Sequence, residues 1–375
     1  MGMELEEFGG VEQEYRAFAT EHVAPYAALI DREERIPREI VEAMMKAGCF
    51  ASGFSTQQES DPIAAVVRNG LLHEALGGAS ASVQGLLNVH QMAGSAIARW
   101  GTREQKERWI PGLISGEVLA AIAITEPDVG SDPSSVETTA TARGSDYVIN
   151  GIKRWITCGQ IADLFLVLAS GAAAFIIPRT APGLTIAPMK GILGCRGYML
   201  AELRFDDCRV PADQLLGRPG FGLTHVAATG LDTGRYNLAW GCVGLAGACL
   251  DASFDYARRR RQFGSALSEK QLVQQLISRM MTEVEAARLL CFRAATLRGR
   301  RDPAAIKMNT MAKYFASTMV NRVAHDAVQI HGANGIGPDM PLERYLRDAR
   351  IMEIIEGSTQ ILEIAIARYG FQERS

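Results

Sequence analysis

Five segments of this 375-residue chain carry side chains whose type and spacing could do chemistry. Glu356 follows Ile351, Met352, Ile354 and Ile355, and apolar surroundings raise a carboxyl pKa and make it a stronger base. Thr125-Glu126-Pro127-Asp128-Val129-Gly130-Ser131-Asp132 follows the apolar run 119–124. A Thr hydroxyl at a strand end and then a Gly-Ser turn present N–H groups and hydroxyls to a polar ring or a phosphate. Arg154-Trp155-Ile156-Thr157-Cys158-Gly159 sets an indole beside a hydroxyl, which could wall an aromatic cofactor. Arg258-Arg259-Arg260-Arg261-Gln262-Phe263-Gly264 ends a long helical pattern, where cations are favoured and Arg forks suit a pyrophosphate. Gln329-Ile330-His331-Gly332-Ala333-Asn334-Gly335 is the fifth. Taken singly, each has an ordinary alternative: a surface carboxylate, a loop, a core tryptophan, a solvated charge run.

Other chemistries are excluded by what the chain lacks. No GxGxxG loop follows a strand, and there is no Walker loop; Gly335-Ile-Gly337 and Gly220-Phe-Gly222 read as turns. Seven cysteines form no CxxC and no zinc-like spacing, so no metal is expected and they read as buried, reduced thiols of a cytoplasmic protein. A net charge of -3 excludes a broad attraction to nucleic acid. No apolar run reaches the roughly 18 residues of a membrane span, and the acidic residues 1–10 do not read as a leader. With 47% hydrophobic and 22% charged residues, the composition is that of a globular protein with a sizeable core.

The elements that must position these residues fall into three zones. Up to about 118 the pattern is helical: a segment from Pro37 to Gly48, another from Pro62 to Leu76 ended by Gly77-Gly78, and a third from about Ser82 to Trp100. Thr102 should cap a short helix carrying Glu104 and Gln105. From 119 to 221 strands and turns dominate. Residues 146–149 and 152–155 flank Asn150-Gly151, the sequence of a two-residue hairpin. Residues 164–168, 173–177 and 203–205 are further strands. From 222 to 375 helices return, one beginning at Ser268 and one opened by Asp302-Pro303 with Met311, Phe315, Met319 and Val323 on a stripe closed by Gly332. The fold class is α+β: an N-terminal all-α domain (1–118), a middle antiparallel β domain (119–221) and a C-terminal helical bundle domain (222–375).

Together and in this order, the segments resemble the acyl-CoA dehydrogenase family over nearly the whole chain. The likeness is densest at 125–132, 154–159, 203–211, 230–235, 260–264 and 329–360. It implies the same three-domain fold, with a four-helix bundle that assembles a homo-oligomer, dimer or tetramer, and a non-covalent FAD. By the family pattern Ile124, Thr125, Gly130 and Ser131 lie along the flavin and its phosphates, and Trp155 and Thr157 cover its other side. Arg260, Phe263, Gln329, Gly332 and Ala333 reach FAD from a neighbouring subunit, while Ser358 (more usually Thr) and Gln360 meet the adenosine half. Arg235 and Gly357 fall at the substrate, and Glu356 matches the catalytic base. Some members carry that base just before the arginine equivalent to Arg235, where this chain has Gly234. The implied reaction removes the α-proton of a short acyl thioester at Glu356 and passes the β-hydride to flavin N5, with a flavoprotein or oxygen as electron acceptor.

Two departures bear on the substrate. Ser55-Thr-Gln-Gln-Glu-Ser-Asp61 replaces a Pro- and Gly-rich stretch of the family, and the hairpin after residues 168–170 is cut to Gly171-Ala172. These features are similar to the branch acting on acyl groups held by an acyl carrier protein in polyketide extender-unit biosynthesis, notably methoxymalonyl formation. The alternatives are an ordinary short-chain acyl-CoA dehydrogenase, a flavin oxidase or monooxygenase of the same fold, and a flavin-retaining scaffold without turnover.

Overall fold

Two of the helix entrances in the first zone are built from capping side chains. In the computed structural model, which describes residues 8–54 and 61–373, the Asp61 carboxylate accepts from the Ile63 and Ala64 N–H groups at 2.9 and 3.1 Å, with Pro62 in the first turn. Residues 1–7 of the acidic start, and 55–60 of the shortened Ser55–Asp61 segment, lie outside the described residues. The helices are α1 (Gly9–His22), α2 (Ala27–Glu33), α3 (Arg38–Lys46), α4 (Pro62–Ala79), α5 (Ala81–Trp100) and α6 (Arg103–Ser115). Thr102 and Gln105 form the reciprocal cap expected for α6.

Gly77-Gly78 does not end α4, which continues to Ala79. The glycines serve packing instead. A Cβ on Gly77 would lie 2.3 Å from the Gly241 carbonyl oxygen, and one on Gly244 would lie 1.8 Å from that of Glu74. The partner helix is α7 (Ala228–Arg259), so α4 and α7 meet backbone to backbone.

The middle zone contains two sheets, of order β1-β4-β5 and β2-β3-β7-β6. The strands are β1 (Ala120–Ala123), β2 (Thr139–Arg143), β3 (Asp146–Ile156), β4 (Leu164–Ala169), β5 (Ala173–Pro178), β6 (Leu184–Pro188) and β7 (Ala201–Pro211). All pairings are antiparallel except β1 with β4. The expected hairpin at Asn150-Gly151 is not formed: β3 runs straight through it. The turn lies earlier, at Gly144-Ser145, and Asn150-Gly151 faces a bulge in β7, where Asp206 and Asp207 stand opposite Asn150 alone. Asn150 exchanges hydrogen bonds with Asp207 across that bulge, and a Cβ on Gly151 would lie 2.5 Å from Thr138 Oγ1. Tertiary partners on both sides outweighed the local turn preference.

The last zone holds α7, α8 (Gln271–Gly299), α9 (Ala305–His331), the single-turn α10 (Ala333–Ile336), α11 (Leu342–Met352) and α12 (Thr359–Gln372). The helix expected at Ser268 starts at Gln271, because a tight ribbon of β8 (Arg261–Gln262) and β9 (Ser265–Ala266) and a 3-10 turn precede it. Gly332, at φ 59°, closes α9 as expected. Helix α7 is the spine, packing on α4, α5, α8, α9 and α11. All seven cysteines are buried and free, and among the described residues no helix is long and apolar enough to cross a membrane.

Two glycines of α7 test this account of the spine. Gly244→Ala should cost about 3 kcal/mol or more, since its methyl group meets main chain that cannot yield. Gly247→Ala, whose methyl meets nothing within 4 Å, should instead stabilise by up to about 1 kcal/mol. Denaturant unfolding of the two variants measures the contrast, and equal effects would remove the close-approach explanation.

Candidate active site

Glu356 lies in the turn between α11 and α12, at φ 55°, followed by Gly357 at φ 94°. A left-handed φ costs a non-glycine residue of order 1–3 kcal/mol and persists only where the surroundings impose it. Here Arg235 Nε of α7 donates to the Glu356 carbonyl at 3.3 Å, and Lys313 Nζ of α9 donates to the Gly357 carbonyl at 2.7 Å. The turn directs the carboxylate into the seam between α5 and α7. Asn88 Nδ2 donates to Oε1 at a long 3.4 Å, and Oε2 is buried without a partner. Burial pushes the Glu356 pKa up to about 7, against the opposing pull of Lys313, Arg235 and the Asn88 amide. The group is a base poised near neutrality.

Room for that carboxylate comes from Gly234. A Cβ there would lie 2.6 Å from Glu356 Oε2 and 2.8 Å from the Met92 sulfur. Positions 234 and 356 therefore address one space, although 122 residues separate them. One turn earlier, Gly230 leaves a second gap on the same face of α7, where a Cβ would lie 3.0 Å from Ile122 of β1. The strand that leads into Ile124 and Thr125 is thereby held beside the base.

Ile124, Thr125 and Trp155 are also brought together. The Arg154 N–H donates to the Thr125 carbonyl at 2.8 Å, and Lys153 Nζ donates to that of Ile124 at 2.9 Å. Lys153 and Glu126 form an ion pair at 2.7 Å with both side chains buried. Glu126 accepts in addition from the Glu137 and Thr138 N–H groups at 2.6 and 2.9 Å. Burial works against its charge, but these bonds prevail and keep the carboxyl below its ordinary pKa. The pair thus anchors the loop from inside, leaving Gly130 and Ser131 exposed at its tip. Trp155 has φ 63° and a ring half exposed, a costly placement for a large apolar side chain. Thr157 is half-buried just past the end of β3. An indole face beside an open loop of main-chain donors fits a planar cofactor with phosphates, so these residues suit FAD.

A second group stands apart, at the far end of α7 and α9. Phe263, at φ 51° on the tip of the β8–β9 ribbon, is 96% exposed. Arg260, Gln329, Gly332 and Ala333 are exposed as well. The Tyr256 and His331 rings stack at 4.3 Å, and Asn334 Nδ2 donates to the Tyr256 hydroxyl at 2.8 Å, joining the end of α7 to the end of α9 and to α10. A phenylalanine so placed touches little of its own chain, as a contact across a subunit boundary requires. Ser358 begins α12 without spending its hydroxyl on the cap, and Gln360 is exposed in the first turn. Arg235 and Gly357 lie at the base itself. The residues expected from the sequence thus lie in three groups: the Glu356 turn, the loop and indole of the β domain, and the bundle end.

Asn88 and Lys313 had no place in the sequence expectations. Their signal was polar residues at helical spacing inside apolar helices: Gln84, Asn88 and Gln91 in α5, and Asn309, Lys313 and Ser317 in α9, all buried.

Comparison with known proteins accounts for all three zones. Residues 6–117, 121–208 and 221–370 match the N-terminal, middle and C-terminal domains of acyl-CoA dehydrogenase. The chain is 37% identical over 364 residues to the mitochondrial short-chain specific acyl-CoA dehydrogenase of Homo sapiens, covering 95% of this chain and 88% of that protein. It superposes on butyryl-CoA dehydrogenase from Megasphaera elsdenii with a TM-score of 0.92 at 29% identity, covering 99% and 100% of the two chains. FkbI, a protein for biosynthesis of the methoxymalonyl extender unit of the Fk520 polyketide, aligns with a TM-score of 0.85 at 28% identity over 96% and 99%.

The frame under this loop has a direct test. Lys153→Met leaves the Glu126 carboxylate buried without its cation, and should cost about 3–5 kcal/mol in denaturant unfolding. Lys153→Met with Glu126→Gln should recover most of that loss; a single variant as stable as the parent would show that the pair does not hold the loop.

Proposed function

From the premise that this chain belongs to the acyl-CoA dehydrogenase family, we propose that Glu356 is the base of its reaction and that the acyl group is presented by a carrier protein. The family makes the chain an FAD-dependent enzyme that oxidises acyl thioesters. The observation that carries the assignment of the base is a carboxylate with one buried, unpartnered oxygen and a pKa near 7, in the space that Gly234 vacates.

An α-proton of a thioester is weakly acidic, so the base must be strong and the developing enolate stabilised. Burial makes Glu356 the stronger base, and the dry seam sharpens each electrostatic contact. Arg235 holds its main chain, and Asn88 orients one carboxylate oxygen. Ile124, Thr125, Gly130, Ser131, Trp155 and Thr157 would hold FAD, with Ser358 and Gln360 toward its adenosine half. Bound FAD would supply the acceptor for the β-hydride. Arg260, Phe263, Gln329, Gly332 and Ala333 would complete that site in a neighbouring copy, so the enzyme works as a homo-oligomer. Seven buried thiols without a disulfide support a reducing, cytoplasmic setting.

For the carrier, the reading rests on the short connection between β4 and β5. Pairing continues to Ala169 with Ala173, and only residues 170–172 bridge the strands. A CoA thioester draws much of its affinity from its adenosine-phosphate end, whereas a carrier protein needs an open rim for its phosphopantetheine arm. Likeness to FkbI supports a methoxymalonyl-type extender unit. The 37% identity to the human short-chain enzyme supports the second reading, an ordinary CoA-linked dehydrogenase.

Two outcomes are expected. Glu356→Gln should keep its fold and FAD while losing at least about a thousandfold in flavin reduction, of the order general base catalysis supplies. In the parent enzyme only the ionised carboxylate accepts the proton, so kcat/KM should fall tenfold per pH unit below about 7 and level off above it. Near-parental bleaching of the Gln variant would reassign the base. Second, an acyl-carrier thioester should exceed the matching CoA thioester by at least about tenfold in kcat/KM, or roughly 1.4 kcal/mol. Stopped-flow flavin reduction at low ionic strength measures this, and equal or faster turnover of the CoA form would favour the ordinary dehydrogenase.

A further inference from the structure

Lys313 is wholly buried in the middle of α9, one turn from buried Asn309 and Ser317. Removing an ammonium from water is expensive unless it is compensated. The hydrogen-bond partner here is a main-chain carbonyl, that of Gly357, at 2.7 Å. Among the described residues no carboxylate lies within ion-pair distance of Nζ. That carbonyl belongs to the second of two successive residues with left-handed φ, Glu356 and Gly357. Arg235 of α7 binds the carbonyl of the first. Two cations from two helices therefore clamp neighbouring carbonyls of one strained turn.

We infer that Lys313 is a positioning residue, which fixes the Glu356–Gly357 turn so that the Glu356 side chain enters the α5–α7 seam. The inference rests on the reading of Glu356 as the base. Without the clamp, the turn would relax toward an ordinary φ and withdraw the carboxylate from the space beside Gly234. Charge adds a second effect. The groups facing the Glu356 carboxyl are Lys313 from α9, Arg235 from α7, and the uncharged Asn88 and Met92 from α5, while Glu353 before the turn acts on Lys313. Lys313 is a cation that favours the ionised carboxylate. Its own pKa is brought down to about 8 by burial, with Cys242 and Glu356 opposing.

Two variants separate the hydrogen bond from the charge. Lys313→Met removes both, and Lys313→Gln removes the charge while keeping a donor. In Lys313→Met the limb of the kcat/KM profile should move up by about one pH unit, as loss of a nearby buried cation implies, and the plateau should fall at least tenfold. Lys313→Gln should show the same displaced limb with part of the plateau restored. Infrared titration of the Glu356 carboxyl, referenced to Glu356→Gln, reads the displacement without substrate. It therefore stands even if no thioester bleaches the parent flavin, a result that would fail the proposed reaction but not this inference. A limb and carboxyl titration in Lys313→Met matching the parent would overturn it. So would a lower melting temperature and rate with neither titration moved, which would make Lys313 a packing residue only.

Discussion

A carboxylate can stand between two packed helices only where a side chain has been left out. In this protein the omission is at Gly234, where a Cβ would lie 2.6 Å from Glu356 Oε2. That one steric fact links chain positions 234 and 356, and occupation of the space from one excludes the other. It also shuts Glu356 Oε2 away from water, and burial of the carboxyl raises its pKa. The strained φ of Glu356 and the clamp on its turn are the counterpart: a side chain sent into a narrow seam must leave its backbone at one angle.

The same device extends along α7. Gly230 admits Ile122 of β1, Gly234 admits Glu356, Gly241 admits the Gln84 side chain of α5, and Gly244 admits the main chain of α4. Small residues on one helix let a sheet, a turn and a second helix reach it closely, and the functional elements converge there. Glycine weakens an isolated helix by about 1 kcal/mol per residue. Contact with α4, α5, α8 and α9 compensates for that along its length.

The β domain solves a different problem, presenting an exposed surface without letting it move. The ion pair of Lys153 and Glu126 sits beneath the loop and binds it from inside through the Ile124 carbonyl and the 137–138 N–H groups. A half-exposed tryptophan at positive φ is then tolerable, since its neighbours on β3 are fixed. Base and wall thus use charge in opposite ways. Glu126 is satisfied and inert, while Glu356 is left with one oxygen unpartnered.

Helix and strand identity and the order of the three zones were legible in the sequence, because apolar periodicity and short motifs are local properties. Thr102 with Gln105, and Gly332 at the end of α9, acted as their types predict, since a cap needs only its own turn. Locality failed where a distant partner decided the outcome. Gly77-Gly78 carried the helix onward because Gly241 and Gly244 lay opposite, and Asn150-Gly151 stayed within β3 because Asp207, in a bulge of β7, and Thr138 were there to meet it. Glu356 was visible as a residue with apolar neighbours. Its depth, its basicity and the hold of Lys313 on its turn came only from α5, α7 and α9 closing around it, for desolvation depends on atoms far away along the chain.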